Sequence, residues 1–306
     1  MEKVHIWIDC DTGIDDSIAL LCAISEDNLI VEGVSAVGGN QTLDKTFKNT
    51  RDVLALASRE DIKVYKGKEK PLYHELHTAS KYHGENGLGG AIIDESLAPV
   101  EKENAIDALY KKAKELNGEL VIVAVGPLTN IASLLLEHED AKQYIKKIAI
   151  MGGSLSRGNR TPYAEYNAYA DSDAAKIVFD SGLDIIMCGL DVTLKAIFPL
   201  KECLFINSLN KKATNLFKDS TAHYLSAAKE VNNTDGLVIH DACPILYLSH
   251  PDFFKGEKHH INIVTSGEKI GQTYVCDGPL NVTCIMDIDI EKFVNELKDI
   301  YINRLP

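Results

Sequence analysis

Residues 4–16 read VHIWIDCDTGIDD, and this stretch decides how the chain folds. Its first six residues are mostly apolar and partly β-branched, which predicts a strand over 4–9. The apolar run SIALLCAI at 17–24 predicts a helix directly after the acidic turn. A strand joined to a helix by a short turn is the first half of a βαβ unit, so the stretch indicates a parallel sheet.

The same alternation of strand and helix continues to about residue 190. Further strands are predicted at 29–37, 62–65, 119–125, 147–151 and 184–188. Helices are predicted between them at 42–57, 104–116, 128–137 and 172–181. We therefore expect an α/β fold of the Rossmann-like type, with a mainly parallel central sheet flanked by helices.

The rest of the chain is predicted to be more helical. Helices are expected at 200–230, 240–249 and 289–301, and strands at 260–265, 272–277 and 281–287. No proline- or serine-rich linker interrupts the sequence, so residues 1–306 are predicted to form one domain. Ligands of such sheets bind beyond the carboxyl ends of the strands. We expect four loops to meet there, at 9–16, 38–41, 126–130 and 152–168.

The balance of charge narrows the classes of partner. The chain has 45 acidic and 32 basic residues, a formal net charge of −13. Nucleic acids and anionic membranes bind clustered lysine and arginine, so neither is expected as a partner. The seven cysteines are odd in number and show no CxxC spacing, which indicates free thiols in a reducing compartment. Without a signal sequence or a membrane-spanning apolar run, a cytoplasmic protein is expected.

The turn after the first strand carries four aspartates, Asp9, Asp11, Asp15 and Asp16. Carboxylates this close in sequence repel one another unless a cation or hydrogen-bond donors compensate. Oxygen ligands of this kind favour Ca²⁺ or Mg²⁺ over zinc. Capping of the following helix is the alternative explanation, and it accounts for one or two of the four.

Two further explanations of the turn can be compared with the sequence. An EF-hand loop counted from Asp9 needs glycine at its sixth position and glutamate at its twelfth, where this chain has Ile14 and Leu20. Haloacid-dehalogenase phosphatases also end a strand in an aspartate pair, which Asp9 and Asp11 fit superficially. The later residues that such a phosphatase needs form no convincing set, so this stays the second interpretation.

Four other segments carry polar residues that could bind a ligand. Asn40 follows two glycines, His83 lies in the stretch KYHGENGLGG, and His240 and Asp241 open an apolar run. The loop after the strand at 147–151 holds amide and carboxylate groups suited to a polyhydroxylated ligand: Asn159, Glu165 and Asn167. Taken singly, these features are equally explained by a turn, an exposed loop histidine, a helix cap and a polar surface loop.

Taken together, the segments resemble the nucleoside hydrolases, in particular the inosine/uridine-preferring kind. The motifs that carry the resemblance are DCDTGIDD at 9–16, GGN at 38–40, HGENGLGG at 83–90, VGPLTN at 125–130, MGGSLSRGNRTPYAEYN at 151–167 and the His-Asp pair at 240–241. They follow one another in family order from about residue 4 to residue 285. The first turn and the 151–167 loop are highly specific in combination.

This resemblance implies an enzyme that hydrolyses the N-glycosidic bond of ribonucleosides such as uridine and inosine. It implies a Ca²⁺ cofactor held by the carboxylates of Asp11, Asp16 and Asp241 and by the backbone carbonyl of Val125. Asp11 would also accept a proton from the calcium-bound water. The only partners implied are a small-molecule ribonucleoside and further copies of the chain, in a homodimer or homotetramer.

The other candidate residues would contact the nucleoside. By resemblance, the ribose hydroxyls are bound by Asp15, Asn40, Asn159, Glu165 and Asn167. His83 would contact the base, and His240 would act as the acid that assists its departure. With a histidine pKa near its ordinary value of ~6.5, His240 could donate a proton at working pH.

Three positions depart from the family pattern. Thr12 stands where proline is commoner, Asn86 stands where threonine is common, and the segment 231–239 lacks a tyrosine that some pyrimidine-preferring members have. The only tryptophan, Trp7, lies within the first strand, so a purine is not expected to stack on it. The preferred base is thus left open. A nucleoside- or ribose-binding protein without catalytic activity is the alternative from a different functional class.

Overall fold

The predicted first strand, β1, spans Val4–Cys10 and lies inside an eight-stranded sheet. The computed structural model describes the backbone of residues 3–232 and 235–306 and the side chains of residues 3–222 and 235–306. Within these residues the strands are β1 Val4–Cys10, β2 Leu29–Ala36, β3 Val64–Lys66, β4 Leu120–Ala124, β5 Ile145–Met151, β6 Ile185–Cys188, β7 Ile197–Pro199, β8 Gly236–Val238, β9 Phe254–His259, β10 Ile261–Ile263, β11 Thr273–Val275 and β12 Val282–Ile288.

Helices alternate with these strands over most of the chain. They are α1 Ile14–Ser25, α2 Leu43–Leu56, α3 Ser80–His83, α4 Ala105–Leu116, α5 Thr129–Glu137, α6 Tyr166–Ala170, α7 Ser172–Phe179, α8 Leu190–Thr193, α9 Leu200–Asn207, α10 Lys212–Asn232, α11 Ala242–Ser249 and α12 Ile290–Asp299. Short 3₁₀ turns lie at Ala141–Gln143 and Pro251–Phe253, and a π-helical turn at Ile300–Arg304. In the described part of the chain, no helix is both long enough and apolar enough to cross a membrane.

The strands of the large sheet follow the order β3-β2-β1-β4-β5-β6-β12-β9. Neighbours pair in parallel except β12 and β9, which are antiparallel. The α/β fold class with a mainly parallel sheet is therefore confirmed. The order of strands reverses between β1 and β4, because the chain runs outward from β1 to β3 and returns to β4 on the other side. A crevice forms beyond the carboxyl ends of strands at such a reversal.

The sheet is covered on both faces, which explains why its strands are apolar throughout. One buried cluster joins alternate residues of β1, such as Ile6 and Ile8, to α1, α2, α11 and α12. A second cluster on the opposite face joins Trp7 and Ile122 to α4, α5 and α7. Successive side chains of a strand point to opposite faces, so each strand supplies both clusters.

One prediction about the second half of the chain was wrong, and three strands there were not predicted. The helix expected over 200–230 is divided into α9 and α10, because Asn210 adopts a left-handed conformation with φ 50° between them. The short strands β7 and β8, which pair antiparallel, were not predicted. Neither was β9, an edge strand in which four of six residues are exposed. A charged edge strand lacks the apolar alternation that identifies a half-buried one.

The packing of α12 on the first cluster gives a test of the fold. Phe293 of α12 is fully buried, and its ring meets that of Phe254 edge to face at 6.4 Å between centroids. Phe293→Ala should lower the free energy of unfolding by about 3–5 kcal/mol, because the lost ring leaves a cavity. The matched control is Phe205→Ala on α9, where the ring is 45% exposed and the expected loss is under about 1 kcal/mol. Equal losses in urea denaturation would contradict this packing.

Candidate active site

The acidic turn after β1 lies in the crevice beside β4. Asp11 is buried there, and its Oδ2 accepts a hydrogen bond from the backbone N–H of Asn40 at 2.6 Å. A Cβ on Gly39 would come within 2.1 Å of the same oxygen, so only glycine allows this close approach. The other oxygen, Oδ1, has no hydrogen-bond partner within the described residues.

Asp16 is held by three donors at the start of α1. Its Oδ1 accepts from the backbone N–H of Asp11 at 3.1 Å, and its Oδ2 accepts from the backbone of Gly13 at 2.9 Å. The Asn40 side chain donates to the same Oδ2 at 3.0 Å. Capping of the helix therefore explains part of the acidic turn, as the alternative interpretation held. Asp16 is satisfied in this way, whereas Asp9, Asp11 and Asp15 need a different explanation.

Asp15 connects the acidic turn to the distant His-Asp pair. Its Oδ2 accepts from the backbone N–H groups of His240 at 2.8 Å and of Asp241 at 3.1 Å. Its Oδ1 is buried and has no hydrogen-bond partner among the side chains of residues 3–222 and 235–306 or the described backbone. Asp241 is the N-cap residue of α11, yet its side chain makes no capping hydrogen bond. The helix-cap explanation of Asp241 is therefore not supported.

Asp9 has a separate environment that the sequence analysis left without a role. Its Oδ1 accepts from the Asn130 side chain at 2.7 Å and from the Ser35 hydroxyl. Asn130 also donates to the carbonyl of Ala36 and accepts from the backbone N–H of Lys68. These bonds fasten the ends of β1 and β2 to α5. Asn130 is the last residue of the VGPLTN motif, from which only Val125 was predicted as a site residue.

The crowded carboxyl groups have perturbed acidity. Burial, followed by the negative charge of Asp16, raises the pKa of Asp11. Burial, followed by the charges of Asp15 and Asp16, likewise raises the pKa of Asp241. For Asp15, burial raises the pKa to about 7 despite the two backbone donors. All three carboxyl groups would keep their negative charge more readily if a cation lay between them.

Two asparagines hold the backbone and carboxylates of the site. The Asn167 side chain donates to the carbonyls of Val125 at 2.8 Å and Met151 at 3.0 Å, which lie just after β4 and at the end of β5. Asn40 uses its side-chain N–H on Asp16, as described above. In both amides the side-chain nitrogen is bound to the protein, so the oxygen is the atom available to a ligand. The Val125 carbonyl keeps one lone pair.

The 152–168 loop closes over the same crevice. Glu165 is the N-cap of α6 and accepts from the backbone N–H groups of Asn167 and Ala168 and from that of Gly153. Burial raises the pKa of Glu165 to about 7, although these donors oppose the shift. Asn159 is exposed, and its Oδ1 accepts from the backbone of Tyr166 at 2.9 Å. The loop thus carries one buried carboxyl group and one exposed amide.

His83 packs on the start of α1 rather than pointing freely into solvent. It is 8% exposed, and its Nδ1 accepts from the backbone N–H of Ile14 at 3.1 Å. A Cβ on Gly13 would lie 2.4 Å from this nitrogen, so the contact requires glycine. The reading of His83 as an ordinary exposed loop histidine is therefore wrong.

His240 differs from expectation in its acidity. Its Nδ1 lies 2.8 Å from the Thr193 hydroxyl, which leaves Nε2 for a ligand. Burial lowers the pKa of His240 to about 4, so the expected ordinary value is wrong. The imidazole is neutral at pH 7 in this environment. No local pattern in the sequence marks Thr193 as its partner, because 47 positions separate the two residues.

These residues surround one cavity of about 560 Å³. The predicted site residues on its lining are Asp15, Asn40, His83, Val125, Asn159, Glu165, Asn167, His240 and Asp241. Asp11 and Asp16 lie immediately behind it, through their bonds to Asn40. The loops 9–16, 38–41 and 152–168 meet here as predicted. The segment 126–130 also reaches the acidic turn, since a Cβ on Gly126 would lie 2.9 Å from Asp11 Oδ1, and its Asn130 binds Asp9.

The cavity also has lining residues that the sequence analysis did not select. They include two arginines, two aromatic residues and a lysine: Arg157, Arg160, Tyr82, Tyr166 and Lys81. The hydroxyl of Tyr166 donates to the carbonyl of His77 at 3.0 Å, so the 152–168 loop is tied to the segment that carries α3. The departure noted at 231–239 falls partly on residues 231–234, which lie outside the described side chains.

Comparison with known families accounts for this arrangement. The sequence pattern of the inosine-uridine preferring nucleoside hydrolases matches residues 6–295. The chain belongs to this family.

Individual relatives agree with the assignment to the nucleoside hydrolases. The pyrimidine-specific ribonucleoside hydrolase RihA of Shigella boydii is 35% identical over 301 residues, which cover 96% of this chain and 97% of that one. RihA of Photobacterium profundum is 36% identical with the same coverage. Among solved structures, a purine-preferring ribonucleoside hydrolase from Gardnerella vaginalis is 29% identical with a TM-score of 0.92, covering 97% of this chain and 98% of that one.

A plant nucleoside hydrolase is also close in structure, with a TM-score of 0.94, 27% identity and coverage of 98% and 99% of the two chains. The relatives named here are all nucleoside hydrolases. The chain is accordingly an enzyme that hydrolyses ribonucleosides, and the predicted family and activity are confirmed. Neither the phosphatase nor the non-catalytic binding protein is supported.

A second polar cluster of this nucleoside hydrolase lies away from the cavity. Glu26, His250 and Glu296 place their ligand atoms within 4.8 Å of one another, which no set containing Asp11, Asp16 and Asp241 does among the described residues. Arg304 occupies this cluster, 2.6 Å from Glu296 and 3.4 Å from Glu26. A guanidinium already balances the two carboxylates, so the cluster is an ion-pair network rather than a metal site.

The raised pKa of Glu165 gives a pH dependence that can be measured on metal-free enzyme. A carboxyl group whose pKa is higher in the folded protein binds more protons there than in the unfolded chain. The contribution of Glu165 to the free energy of unfolding therefore falls as pH rises from the ordinary pKa of this group, 4.5, to its raised pKa of about 7. With a chelator present, the wild type should lose more free energy of unfolding between about pH 5 and about pH 8 than Glu165→Gln, which cannot ionise. Identical losses in the two proteins would contradict the shift.

Proposed function

We propose that this enzyme cleaves the N-glycosidic bond of ribonucleosides by means of a calcium-bound water and the carboxylate of Asp11. The observation that carries the proposal is that Asp11 Oδ1 and Asp15 Oδ1, two of the three buried carboxylate oxygens without a described hydrogen-bond partner, belong to predicted site residues, the third being Asp9 Oδ2. Leaving such an atom uncompensated costs free energy, so their arrangement suits a cation together with a polar substrate.

The residues present fit a calcium ion. Asp11, Asp16, Asp241 and the carbonyl of Val125 would hold it, and all of these ligand atoms are oxygens, which calcium prefers. When bound, calcium supplies a positive charge that lowers the pKa of the attacking water. Burial, together with the negative charge of neighbouring aspartates, raises the pKa of Asp11 and of Asp241, and a bound cation would offset both effects.

Asp11 would take the proton of the attacking water. Its Oδ2 is anchored by Asn40, whereas its Oδ1 has no partner among the described residues and is available as the basic atom. The oxygen of the water then forms a bond to C1′ of the ribose as the C1′–N bond breaks. The sugar carries positive charge in the transition state, as in other glycoside hydrolysis, and the carboxylates around it stabilise that charge.

The ribose would be held by side chains on three sides of the cavity. Asp15 Oδ1 and the carboxyl group of Glu165 can accept from sugar hydroxyls, and the amide oxygens of Asn40 and Asn167 can do the same. Asn159 is the most exposed of the predicted contacts and would meet the sugar near the mouth of the cavity. Contacts that strengthen as charge develops accelerate the reaction.

His240 would donate a hydrogen bond or a proton to the departing base through Nε2. Thr193 at Nδ1 fixes the orientation of the ring. Because burial lowers the pKa of His240 to about 4, the donor is the neutral imidazole N–H rather than a stored proton. His83, whose Nδ1 accepts from the backbone N–H of Ile14, would contact the base from the side of α3.

Pyrimidine ribonucleosides such as uridine are the proposed preferred substrates. The support comes from the RihA relatives, which are named as pyrimidine-specific and match almost the whole chain at 35–36% identity. Trp7, the only tryptophan, is 1% exposed and stacks on Tyr65 in the buried cluster on one face of the sheet. It therefore cannot stack on a purine in the cavity. A homodimer or homotetramer in the cytoplasm stays a prediction.

Replacement of Asp11 tests the proposed base and ligand together. Asp11→Asn should lower kcat for uridine by about a thousandfold or more, because both the proton acceptor and a charged ligand are lost. The matched control is Asp252→Asn, where the carboxylate is exposed beside Lys292 and activity should be retained. Circular dichroism would establish that both variants fold. Turnover of Asp11→Asn within tenfold of wild type would overturn the proposed mechanism.

Removal of calcium tests the cofactor independently. Dialysis against a strong chelator should abolish uridine hydrolysis and lower Tm, because the carboxylates lose their compensating charge. Addition of Ca²⁺ should restore both quantities, and calorimetry should detect binding that Asp241→Asn weakens. The proposal fails if exhaustively dialysed enzyme contains no calcium and is fully active.

A further inference from the structure

Two exposed arginines lie at the mouth of the nucleoside cavity. Arg157 and Arg160 stand on either side of Asn159 in the loop after β5, and all three line the cavity. The chain has five arginines and a net charge of −13, so two of its five guanidinium groups are concentrated at this opening. A neutral nucleoside gives no reason for that concentration.

No carboxylate among the described side chains neutralises the charge of Arg157 or Arg160. Among the side chains of residues 3–222 and 235–306, neither arginine has an ion-pair partner, whereas Arg59 pairs with Asp61 and Arg304 with three carboxylates. Arg157 reaches only the carbonyl of its neighbour Gly158, with Nε at 3.5 Å. Arg160 lies 5.3 Å from the ring centroid of Tyr169. Both charges are therefore available to a ligand.

The loop backbone fixes where the arginines stand. The backbone N–H groups of Asn159 and Arg160 both donate to the carbonyl of Ala164, and that of Gly158 donates to the carbonyl of Pro162. A Cβ on Gly158 would lie 2.1 Å from the Thr161 carbonyl, so the turn is tight. A guanidinium on a fixed backbone loses less conformational freedom when it binds an anion.

Charge is distributed unevenly through the cavity. The carboxylates of Asp15 and Glu165 are buried at 5% and 2% exposure, whereas Arg157 and Arg160 are exposed. The inner part of the cavity therefore suits a cation and a polar sugar, and its mouth suits an anion. Arginine binds phosphate oxygens with two parallel N–H donors, which makes phosphate the best-matched anion.

We propose that Arg157 and Arg160 bind the 5′-phosphate of a ribonucleoside 5′-monophosphate, so that the enzyme also takes nucleotides as substrates. The inference rests on the proposed function, because it uses Asn159 as a ribose contact. The arginines flank this sugar contact, whereas the predicted base contact, His83, belongs to a different segment. The anion is therefore expected on the sugar rather than on the base.

The chemistry is that of nucleoside hydrolysis with the phosphate as a spectator. Water adds its oxygen to C1′, the C1′–N bond breaks with its electron pair going to the base, and the base gains a proton. Uridine 5′-monophosphate would yield uracil and ribose 5-phosphate. No oxidant, reductant or further reactant is needed, and no phosphate is released.

The test compares three substrates on calcium-loaded enzyme: uridine, uridine 5′-monophosphate and orotidine, whose anionic group is on the base. Wild type should release uracil and ribose 5-phosphate from the nucleotide. Arg157→Ala/Arg160→Ala should lower kcat/KM for the nucleotide about tenfold to a hundredfold more than for uridine, because hydrogen bonds to charged groups are lost. Arg157→Lys/Arg160→Lys should recover part of the loss, and Arg59→Ala should match wild type on every substrate.

The outcomes separate this inference from the proposed function. If uridine is hydrolysed but its 5′-monophosphate is neither cleaved nor inhibitory, the phosphate site is refuted and the proposed function stands. A selective loss on orotidine in the double variant would also refute it, by placing the anion on the base. If uridine itself is not hydrolysed, calorimetry with uridine 5′-monophosphate still tests whether the two arginines bind the phosphate. Weaker binding by the alanine variant supports the site, and equal binding overturns it.

Discussion

The carboxylate groups at the end of β1 are buried, so hydrogen-bond donors or a cation must compensate for their lost contact with water. The structure around the cavity meets this requirement. Backbone N–H groups and the Asn40 amide satisfy Asp16 and one oxygen of Asp11. Two further backbone N–H groups satisfy one oxygen of Asp15. The protein thus fixes Asp11 and Asp15 through one carboxylate oxygen each and leaves the other oxygen without a described partner. Those free oxygens are what a cation and a sugar can use.

The same requirement explains why distant elements meet at this point. Because β1 pairs with both β2 and β4, the residues that follow all three strands reach the acidic turn. The Asn130 amide joins two of these strand ends, and the Asn167 amide joins the carbonyls that follow β4 and end β5. Each amide fixes backbone with its nitrogen. The residues proposed to bind the sugar and the cation are therefore joined by hydrogen bonds to the strand ends of the sheet.

The parts that the sequence predicted are those determined by local pattern. Apolar strands followed by amphipathic helices gave the central sheet, and the acidic turn with the 151–167 loop gave the family and the residues that meet at the cavity. The parts that it did not predict depend on contacts remote in sequence. The partnership of His240 with Thr193 and its lowered pKa arise only from burial in the fold. The exposed strand β9 and the break at Asn210 leave no periodic signal.

The bond from the backbone of His240 to Asp15 has a consequence for the timing of synthesis. The two residues are 225 positions apart, so the acidic turn is made well before its partner. At about 5–20 residues per second, a ribosome needs on the order of ten to forty-five seconds to cover that distance. Throughout this interval the aspartates have emerged without the histidine or the last predicted ligand, Asp241. If Asp241 is a ligand as proposed, the nascent chain gains its full set of ligands only after this interval.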